Sequence, residues 1–347
     1  MRSTSSVTLG YLPSSSGFQR EDLARNVLRY FAYVFVILAL VFAVIAQAYG
    51  DVFFFRLATE ALIYGGFAMG VDLLLGFGGL LSLGHALFFG LGAYTSAVVL
   101  KEVAPSFWLA LAVTLCVGTL VGVVAGAIAI RARGVYFALI TFGMAEVLAK
   151  AVFNTQELGG SDGIIGVPII KANFLLFSVD TSNAAHFFLL VLVVIMAFYF
   201  ALEALLRTPF GRLVVAIKAN EDRVPFLGFN SQRYKLGVFV IAANVTALSG
   251  ALYPMLRGFV SPELLYFHSS GNAVITVILG GVGTLIGPLY GSVILTALKS
   301  IVGSFTEHHL IVIGLLFMCL VMFFPKGVIG ALKTQVEPWL LRRKEQS

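Results

Sequence analysis

A few polar residues interrupt the long apolar runs of this chain, and they are the first candidates for chemistry. Asp72, Ser82, His85 and Glu146 all lie in segments apolar enough to enter a bilayer. Because a polar side chain in hydrocarbon is costly, such residues either line a protein-enclosed polar path or hydrogen-bond to helix ends and bends. For Asp72 both interpretations stand. For Ser82 and His85 we favour a structural role in a bend, and for Glu146 we favour a place on the path.

Glycines surround two of these residues. The segment from Gly76 to Tyr94 reads GFGGLLSLGHALFFGLGAY and contains six glycines. Glycine lets helices approach closely or lets the backbone bend, and neighbouring helices must then satisfy the freed backbone groups. Gly76 and Gly79 therefore mark a predicted helix break next to Asp72. The segment is typical of a polytopic membrane protein with a path through it, since a plain anchor needs none of these features.

The chemistry of an enzyme is not recognisable in the sequence. There is no GxxxxGK[ST] phosphate loop, no GxSxG elbow, and no pair among the five histidines with the i, i+4 spacing of a zinc helix. The glycine clusters lie in apolar runs without the strand–helix context of a dinucleotide fingerprint, so helix packing explains them better. We assign no catalytic residue and no metal ligand, and we expect no cofactor in this chain.

The composition of the chain defines its class. Of 347 residues, 59% are hydrophobic and 12% are charged, with a mean hydropathy of +0.97. Soluble domains carry about 25% charged residues, so this chain cannot cover itself with an ordinary aqueous surface. The net charge of +6 is spread between the apolar runs rather than gathered in one patch. It therefore indicates membrane topology and not nucleic-acid binding.

The apolar runs predict an all-α integral membrane protein, a polytopic bundle of about ten transmembrane helices. A spanning helix needs about 20 mostly apolar residues. The predicted spans are 30–49, 57–75, 82–100, 107–130, 134–154, 186–206, 235–257, 272–286, 288–304 and 309–325. Two pairs of spans nearly touch, at 76–82 and at 287–288. We expect a broken or re-entrant helix at either place.

The basic residues orient this bundle. With ten spans, 17 of the 23 Lys and Arg residues fall on the side that holds both termini. The positive-inside rule makes that side the cytoplasm. The predicted organisation is a cytoplasmic tail over 1–29, a permease domain over 30–325 and a cytoplasmic tail over 326–347. No short apolar core with a small-residue cleavage site opens the chain, so we expect no cleavable signal peptide.

Two hydrophilic connections stand out. Residues 155–185 form the predicted outer, periplasmic loop, with the turn-rich run Gly-Gly-Ser-Asp-Gly from Gly159. Residues 207–235 form the predicted cytoplasmic loop and hold six basic residues. Within it, residues 211–227 mix apolar and charged side chains at roughly helical spacing, which indicates one or two short helices outside the membrane. Their apolar residues need a packing partner, either the ends of this protein's own helices or another chain.

Several motifs occur in an order that resembles a known family. Leu73 to Tyr94, Arg131 to Val147, Gly159 to Pro168, Thr208 to Asn230, Val260 to Glu263, and Val277 to Val293 all carry the resemblance. The family is that of the permeases of branched-chain amino acid ABC importers, of the LivH/LivM type. The resemblance spans about residues 57–330, and the Gly-Gly-Ser-Asp-Gly loop is most similar to the LivM-like subunit.

The resemblance implies a transport subunit in a bacterial inner membrane. It implies a second, related permease subunit, two cytoplasmic ATPase subunits that bind ATP and Mg, and a periplasmic substrate-binding protein as partners. Residues 208–230 match the segment that carries the coupling helix of such importers. The candidate coupling residues are Gly211, Glu221, Asp222, Arg223 and Gly228. The pair Asp222-Arg223 departs from the small residues of the general coupling motif, so the role of each side chain stays open.

The mechanism implied is alternating access, in which the ATPases move the segment 208–230 and rock the spans around the glycine breaks. The substrates implied are branched-chain amino acids, or alternatively urea, short amides or aromatic acids. Two other classes remain open. An ion-coupled secondary transporter would use buried acids, for which Asp72 and Glu146 are the candidates, and a membrane scaffold or enzyme subunit is compatible with the amphipathic loop alone.

Overall fold

The computed structural model of the protein describes residues 15–168, 170–173, 178–305, 311–312, 314–315, 317–318, 322 and 326–333. The described part is almost entirely helical, which confirms the predicted all-α class. Its helices are α1 Ser15–Tyr49, α2 Val52–Asp72, α3 Ala86–Val98, α4 Phe107–Ala129, α5 Val135–Asn154, α6 Ala184–Arg207, α7 Pro209–Ala219, α8 Ser231–Ala251, α9 Tyr253–Arg257, α10 Phe267–Gly280 and α11 Gly287–Phe305. Four strands of two or three residues, β1 Ile164–Ile165, β2 Lys171–Asn173, β3 Ser178–Asp180 and β4 Phe259–Val260, form two small antiparallel pairs, β1 with β4 and β2 with β3.

Eight helical segments in the described residues are long and apolar enough to cross a membrane. They correspond to the first seven predicted spans and the ninth. The eighth prediction, 272–286, meets α10, whose 14 residues give a length of about 21 Å, short of the 30 Å hydrocarbon core. The tenth, 309–325, lies largely outside the described residues, as do parts of both predicted tails. The count of ten and the side of the termini therefore stay predictions.

The two ends of the helical bundle differ in the segments that connect their helices. At one, which we call the basic end, α7 and the 3₁₀ turn Glu221–Leu227 fill the connection between α6 and α8. At the other, which we call the far end, β1 from the 155–185 connection pairs with β4 after α9. Helix α2 runs from the far end to the basic end, because the turn that continues it, Leu73–Gly78, contacts α7.

Glycine allows α3 and α8 to cross in close contact at the centre of the core. A Cβ on Gly92 would overlap the carbonyl of Ala247, and a Cβ on Gly250 would overlap the carbonyl of Phe89. Gly118, Gly122 and Gly126 of α4 also pack on α8, against Asn244, Ala243 and Phe239 in turn. Small residues at these contacts provide the van der Waals packing that holds helices together in lipid.

Replacing Gly92 with alanine is expected to destabilise the protein, since the added methyl group has no space against α8. Overpacking of this kind costs about 1–3 kcal/mol. Gly143 on α5 is the matched control, because nothing lies within 4 Å of where its Cβ would be. Thermal unfolding in detergent should show a lower midpoint for Gly92→Ala and an unchanged or higher one for Gly143→Ala, since alanine favours helix. Equal midpoints for the two variants would contradict the tight crossing.

Two helix–break–helix hairpins lie side by side at the basic end. In the first, α2 continues as a π-helical turn, Leu73–Gly78, and stops at Gly79 in the left-handed conformation (φ 68°). In the second, α10 stops at Gly281 (φ 121°), and α11 begins at Gly287. Both breaks contain Leu-Gly, a glycine three residues later and a leucine two beyond it, at 75–81 and at 279–285. The breaks predicted near 76–82 and 287–288 thus have one pattern.

Candidate functional site

Asp72 holds the two breaks together. Its carboxylate is fully buried, and Oδ1 accepts a hydrogen bond from the Gly283 amide (2.7 Å) while Oδ2 accepts one from the Leu285 amide (2.9 Å). Leu285 has a positive φ of 56°, which is unusual for a leucine and costs free energy that surrounding contacts must offset. A Cβ on Gly76 would overlap the Asp72 carboxylate and the backbone of Gly283. The structural interpretation of Asp72 therefore has direct support.

Ser82 and His85 lie in the extended segment that joins the first break to α3. The Ser82 hydroxyl lies 2.8 Å from His85 Nδ1, and both residues are buried. The Ser270 hydroxyl accepts from the Ala86 amide (2.8 Å), and the Thr141 hydroxyl accepts from the Leu83 amide (3.3 Å). Side chains of α5 and α10 thus satisfy backbone groups of the break. These contacts agree with the structural role we favour for Ser82 and His85.

Glu146 lies apart from these residues, on α5. Its carboxylate accepts from the amide of Phe267, the first residue of α10, at 3.3 Å. A carboxylate is favourable at a helix N-terminus, where the amides are unpaired and the dipole is positive. Glu146 therefore caps α10, and its place on a transport path stays a prediction from the sequence.

Lys218, which the sequence did not single out, joins α7 to the first break. Its ammonium donates to the carbonyl of Gly76 (2.5 Å), and its side chain covers Gly79. The carbonyl is free to accept because the π-helical turn disrupts the helix at that point. Beside this contact lies a cavity of about 590 Å³ at the basic end, and its polar lining includes Glu203, Arg207, Arg212, Lys218 and Thr284. Glu203 pairs with both Arg207 (2.6 Å) and Arg29 (2.6 Å).

Ion pairs hold the 3₁₀ turn against the bundle. Glu221 pairs with Lys235 on α8 at 2.5 Å, and Arg133 from the α4–α5 connection lies 3.8 Å from Glu221 and 3.3 Å from Asp222. The Lys235 side chain is only 7% exposed, so it depends on Glu221 to compensate its charge. Asp222 is 81% exposed and contributes little.

The other candidate coupling residues shape the same segment. A Cβ on Gly211 would overlap the backbone of Leu206, so this glycine permits the tight turn from α6 into α7. Arg223 is exposed and donates its amide to the Asn220 side chain (3.2 Å). Gly228 ends the 3₁₀ turn with φ 82°, in the left-handed region that glycine tolerates best.

An apolar patch projects from this segment. Phe226 is 91% exposed and Leu227 is 68% exposed, and Val215 on α7 and Phe229 are also exposed. Charged residues, Asp222 and Arg223 among them, are interleaved with the patch. The apolar residues of the same segment that pack inward are Val214, Ile217 and Val224. The predicted amphipathic segment therefore has one buried face and one exposed face.

The structure brings Asp72, Gly76 and Gly79 together with α7 and the second break. It leaves Ser82 and His85 in the connecting segment and Glu146 at the start of α10. Sequence reasoning missed Lys218, Lys235 and Arg133, which carry the contacts of α7 and the 3₁₀ turn. The sequence gives little indication of their roles, because the positive-inside rule already accounts for basic residues in these loops. No group of three His, Cys, Asp or Glu side chains that could hold a metal lies within the described part of the chain.

The apolar helices, the paired breaks and the external amphipathic segment define a multi-pass membrane protein of the permease class. A family model described as "Branched-chain amino acid transport system / permease component" matches residues 53–321, and the chain belongs to this family. The predicted resemblance is thereby confirmed.

Individual relatives agree with the family model. The high-affinity branched-chain amino acid transport system permease protein LivM of Escherichia coli (strain K12) is 28% identical over 301 residues, 81% of this chain and 71% of that protein. A probable branched-chain amino acid transport permease protein LivM of Methanocaldococcus jannaschii is 24% identical over 261 residues, 69% of this chain and 73% of that protein. The LivH protein of Salmonella typhimurium is 26% identical over 194 residues, 55% of this chain and 58% of that protein. No solved structure matches the chain.

Proposed function

We propose that this protein is a membrane-spanning subunit of an ATP-binding-cassette importer that carries branched-chain amino acids across a bacterial inner membrane. The observation that carries the proposal is the contact between α7 and the first break, where Lys218 donates to the Gly76 carbonyl. A force on α7 thereby reaches Asp72 and, through it, the second break. Such a connection suits a subunit that does not bind ATP itself and takes mechanical work from another chain.

The partner at the basic end is an ATPase subunit. Large apolar side chains that stay exposed outside the spanning helices indicate a protein contact, and aromatic residues are enriched in such contacts. Phe226 and Leu227 lie at the tip of the segment that resembles a coupling helix. Two ATPases and a second permease subunit complete the proposed assembly. The relatives include both LivM and LivH permeases, which supports a pair of two different permease subunits. A periplasmic protein delivers the substrate at the far end.

The names of the relatives favour branched-chain amino acids over urea, short amides or aromatic acids. An ion-coupled mechanism has less support, since both carboxylate oxygens of Asp72 already accept backbone hydrogen bonds. A carboxylate whose two oxygens already accept these hydrogen bonds is a poor ligand for a coupling ion. The proposed movement is alternating access, in which the two breaks rearrange together when the ATPases close.

Replacing Glu221 with alanine is expected to uncouple ATP hydrolysis from transport. The variant leaves the buried Lys235 ammonium without its carboxylate and frees the 3₁₀ turn from α8. In proteoliposomes containing the whole importer, leucine uptake should fall at least tenfold while ATP hydrolysis continues.

Asp222→Ala is the matched control, because its carboxylate is exposed and its removal spares the Lys235 pair. Its uptake should stay within twofold of the unmodified protein. Coupled transport by Glu221→Ala at the normal rate would count against this assignment, and so would a complex that imports no amino acid at all.

A further inference from the structure

A second cavity lies at the far end, away from the ATPase-coupling segment. Its volume is about 500 Å³, and residues of α2, α9, α10 and α11 line it. This volume falls in the range of sites for small molecules. One part of the wall is apolar and includes Phe53, Leu57, Phe67, Phe259, Leu264 and Leu295.

The other part of the wall carries charges of both signs. Glu60 on α2 pairs with Arg257 at the end of α9, with 2.6 Å between Oε2 and Nη2. Lys299 on α11 and Glu263 in the turn before α10 complete a set of two acids and two bases. The lining also includes His268 and Asn272, which is a donor and an acceptor at once.

Lys299 is the most informative member of this set. It lies within a predicted spanning helix and is partly buried. Glu60 is the acidic residue close enough to attract its ammonium group electrostatically. Among the described residues it has no ion-pair partner within 4 Å, whereas Arg257 has Glu60. A partly buried ammonium in a spanning segment that faces a cavity indicates a functional site by default.

We propose that this cavity receives the transported solute and that it selects small zwitterions, that is, molecules with one carboxylate, one ammonium and an apolar side chain. Lys299 and Arg257 bind the carboxylate, Glu60 and Glu263 bind the ammonium, and the apolar wall contacts the side chain. The proposal rests on the proposed function and adds to it a binding site, with the side chains that recognise each charged group of the solute. The relatives' names give a substrate but no site for it.

The balance of charge decides between classes of ligand. An anion that drew Arg257 away from Glu60 would leave Glu60 and Glu263 uncompensated, and a cation that drew Glu60 away from Arg257 would leave Arg257 and Lys299 uncompensated. Like charges left without a counter-charge in one cavity cost free energy, so each mismatch weakens binding. A zwitterion satisfies both sets at once. A neutral solute such as urea compensates none of these charges. They would stay hydrated or paired with one another when it binds.

The cavity is connected to the moving part of the protein. Asn272 and Thr276 on α10, and Thr296 and Lys299 on α11, contribute to its wall. The same two helices meet at the basic end in the loop that Asp72 holds. When the second break moves, α10 and α11 carry one wall of the cavity with them. Binding can therefore be released by the step that opens the opposite end.

Substitution of Lys299 tests the site in the complete importer. In proteoliposomes, Lys299→Gln should reduce leucine uptake at least tenfold, while the stimulation of ATP hydrolysis by the loaded binding protein stays within twofold. Arg56→Gln is the control for loss of a cation from the same end, because Arg56 is exposed and lies outside the lining. Glu60→Gln should also reduce uptake, whereas Glu102→Gln, exposed at the end of the π-helical turn after α3, should not.

Cysteine protection tests occupancy without transport. Thr296→Cys, in a background with Cys116 and Cys319 replaced by serine, places a thiol in the wall. Millimolar leucine should slow its modification by a methanethiosulfonate at least threefold, while isopentylamine and 4-methylpentanoate, which carry one charge each, should not. Protection should disappear when Lys299→Gln is added.

The outcomes separate the two proposals. Import by the unmodified complex, with no protection of the Thr296→Cys thiol and normal uptake by Lys299→Gln, overturns the cavity and leaves the proposed function standing. Zwitterion-specific protection in a complex that imports nothing supports the cavity and overturns the proposed function. Equal protection by the singly charged compounds overturns the selection of zwitterions. Loss of assembly in Lys299→Gln, measured by recovery of the ATPase subunits, would make the residue structural and also overturn the site.

Discussion

Alanine in place of Asp72 is expected to destabilise the whole basic end and to abolish transport. The carboxylate accepts two hydrogen bonds from the second break, and both amides would be left without a partner in a buried site. Hydrogen bonds to charged groups contribute about 1.5–3 kcal/mol each, so the loss is about 3–6 kcal/mol. The left-handed conformation of Leu285 also loses the contact that offsets its cost. Thermal unfolding of the purified complex and leucine uptake measure the two effects.

Two further variants, Asp72→Asn and Asp51→Ala, test whether the effect depends on the carboxylate of Asp72. Asp72→Asn should be nearly as damaging, because its amide nitrogen would present a donor to a backbone donor. Asp51→Ala removes an aspartate from the other end of α2, where the side chain is an exposed cap that accepts one bond from Phe53 (2.8 Å). Loss of such a cap costs about 1 kcal/mol. A drop in midpoint no larger for Asp72→Ala than for Asp51→Ala would contradict the role assigned to Asp72.

Aspartate in place of Phe226 is expected to separate the ATPase subunits from the permease. The phenyl ring is 91% exposed and contributes almost nothing to the fold of the chain itself. At a protein interface, a buried aromatic residue at the centre of a contact typically costs about 2 kcal/mol or more when it is removed. An unpaired carboxylate in its place adds a desolvation cost. Recovery of ATPase subunits with tagged permease should therefore fall at least tenfold, and uptake should fall with it.

The controls for this variant keep the apolar character or the fold. Phe226→Leu retains an apolar side chain and should keep most of the ATPase recovery. The thermal unfolding midpoint of the isolated Phe226→Asp permease should stay close to that of the unmodified protein, because the exposed ring contributes so little to packing within the chain. Full recovery of the ATPases with Phe226→Asp would show that the contact lies elsewhere on the basic end.

Periodicity and composition were sufficient for the large-scale architecture. The first seven spans and the ninth coincide with helices, because an apolar run of about 20 residues has few other ways to satisfy its backbone in lipid. The breaks at Gly76–Gly79 and near Gly287 were also predictable, since glycine ends helices for local reasons. Glu203 and Arg207 have the i, i+4 spacing at which opposite charges meet on one face of a helix.

The contacts that hold the site together were not predictable in this way. Asp72 meets Gly283 across 211 residues, and Glu60 meets Arg257 across 197. Neither spacing leaves a periodic signal, because both depend on which helices become neighbours. The eighth predicted span started and ended several residues later than α10 for the same reason. Glu146 of another helix caps the start of α10. The helix ends at Gly281, the first of three residues with positive φ, and the other two donate hydrogen bonds to Asp72.

The close approach of Gly76 and Gly283 limits how the two hairpins can rearrange. With only hydrogen atoms on the facing carbons and one carboxylate shared between them, neither break can shift without stripping Asp72 of its donors. A state with a single displaced hairpin is therefore high in free energy. We therefore expect the two breaks to move together within the subunit rather than one at a time. Joint movement of this kind would leave no half-open state of the basic end through which solutes could leak.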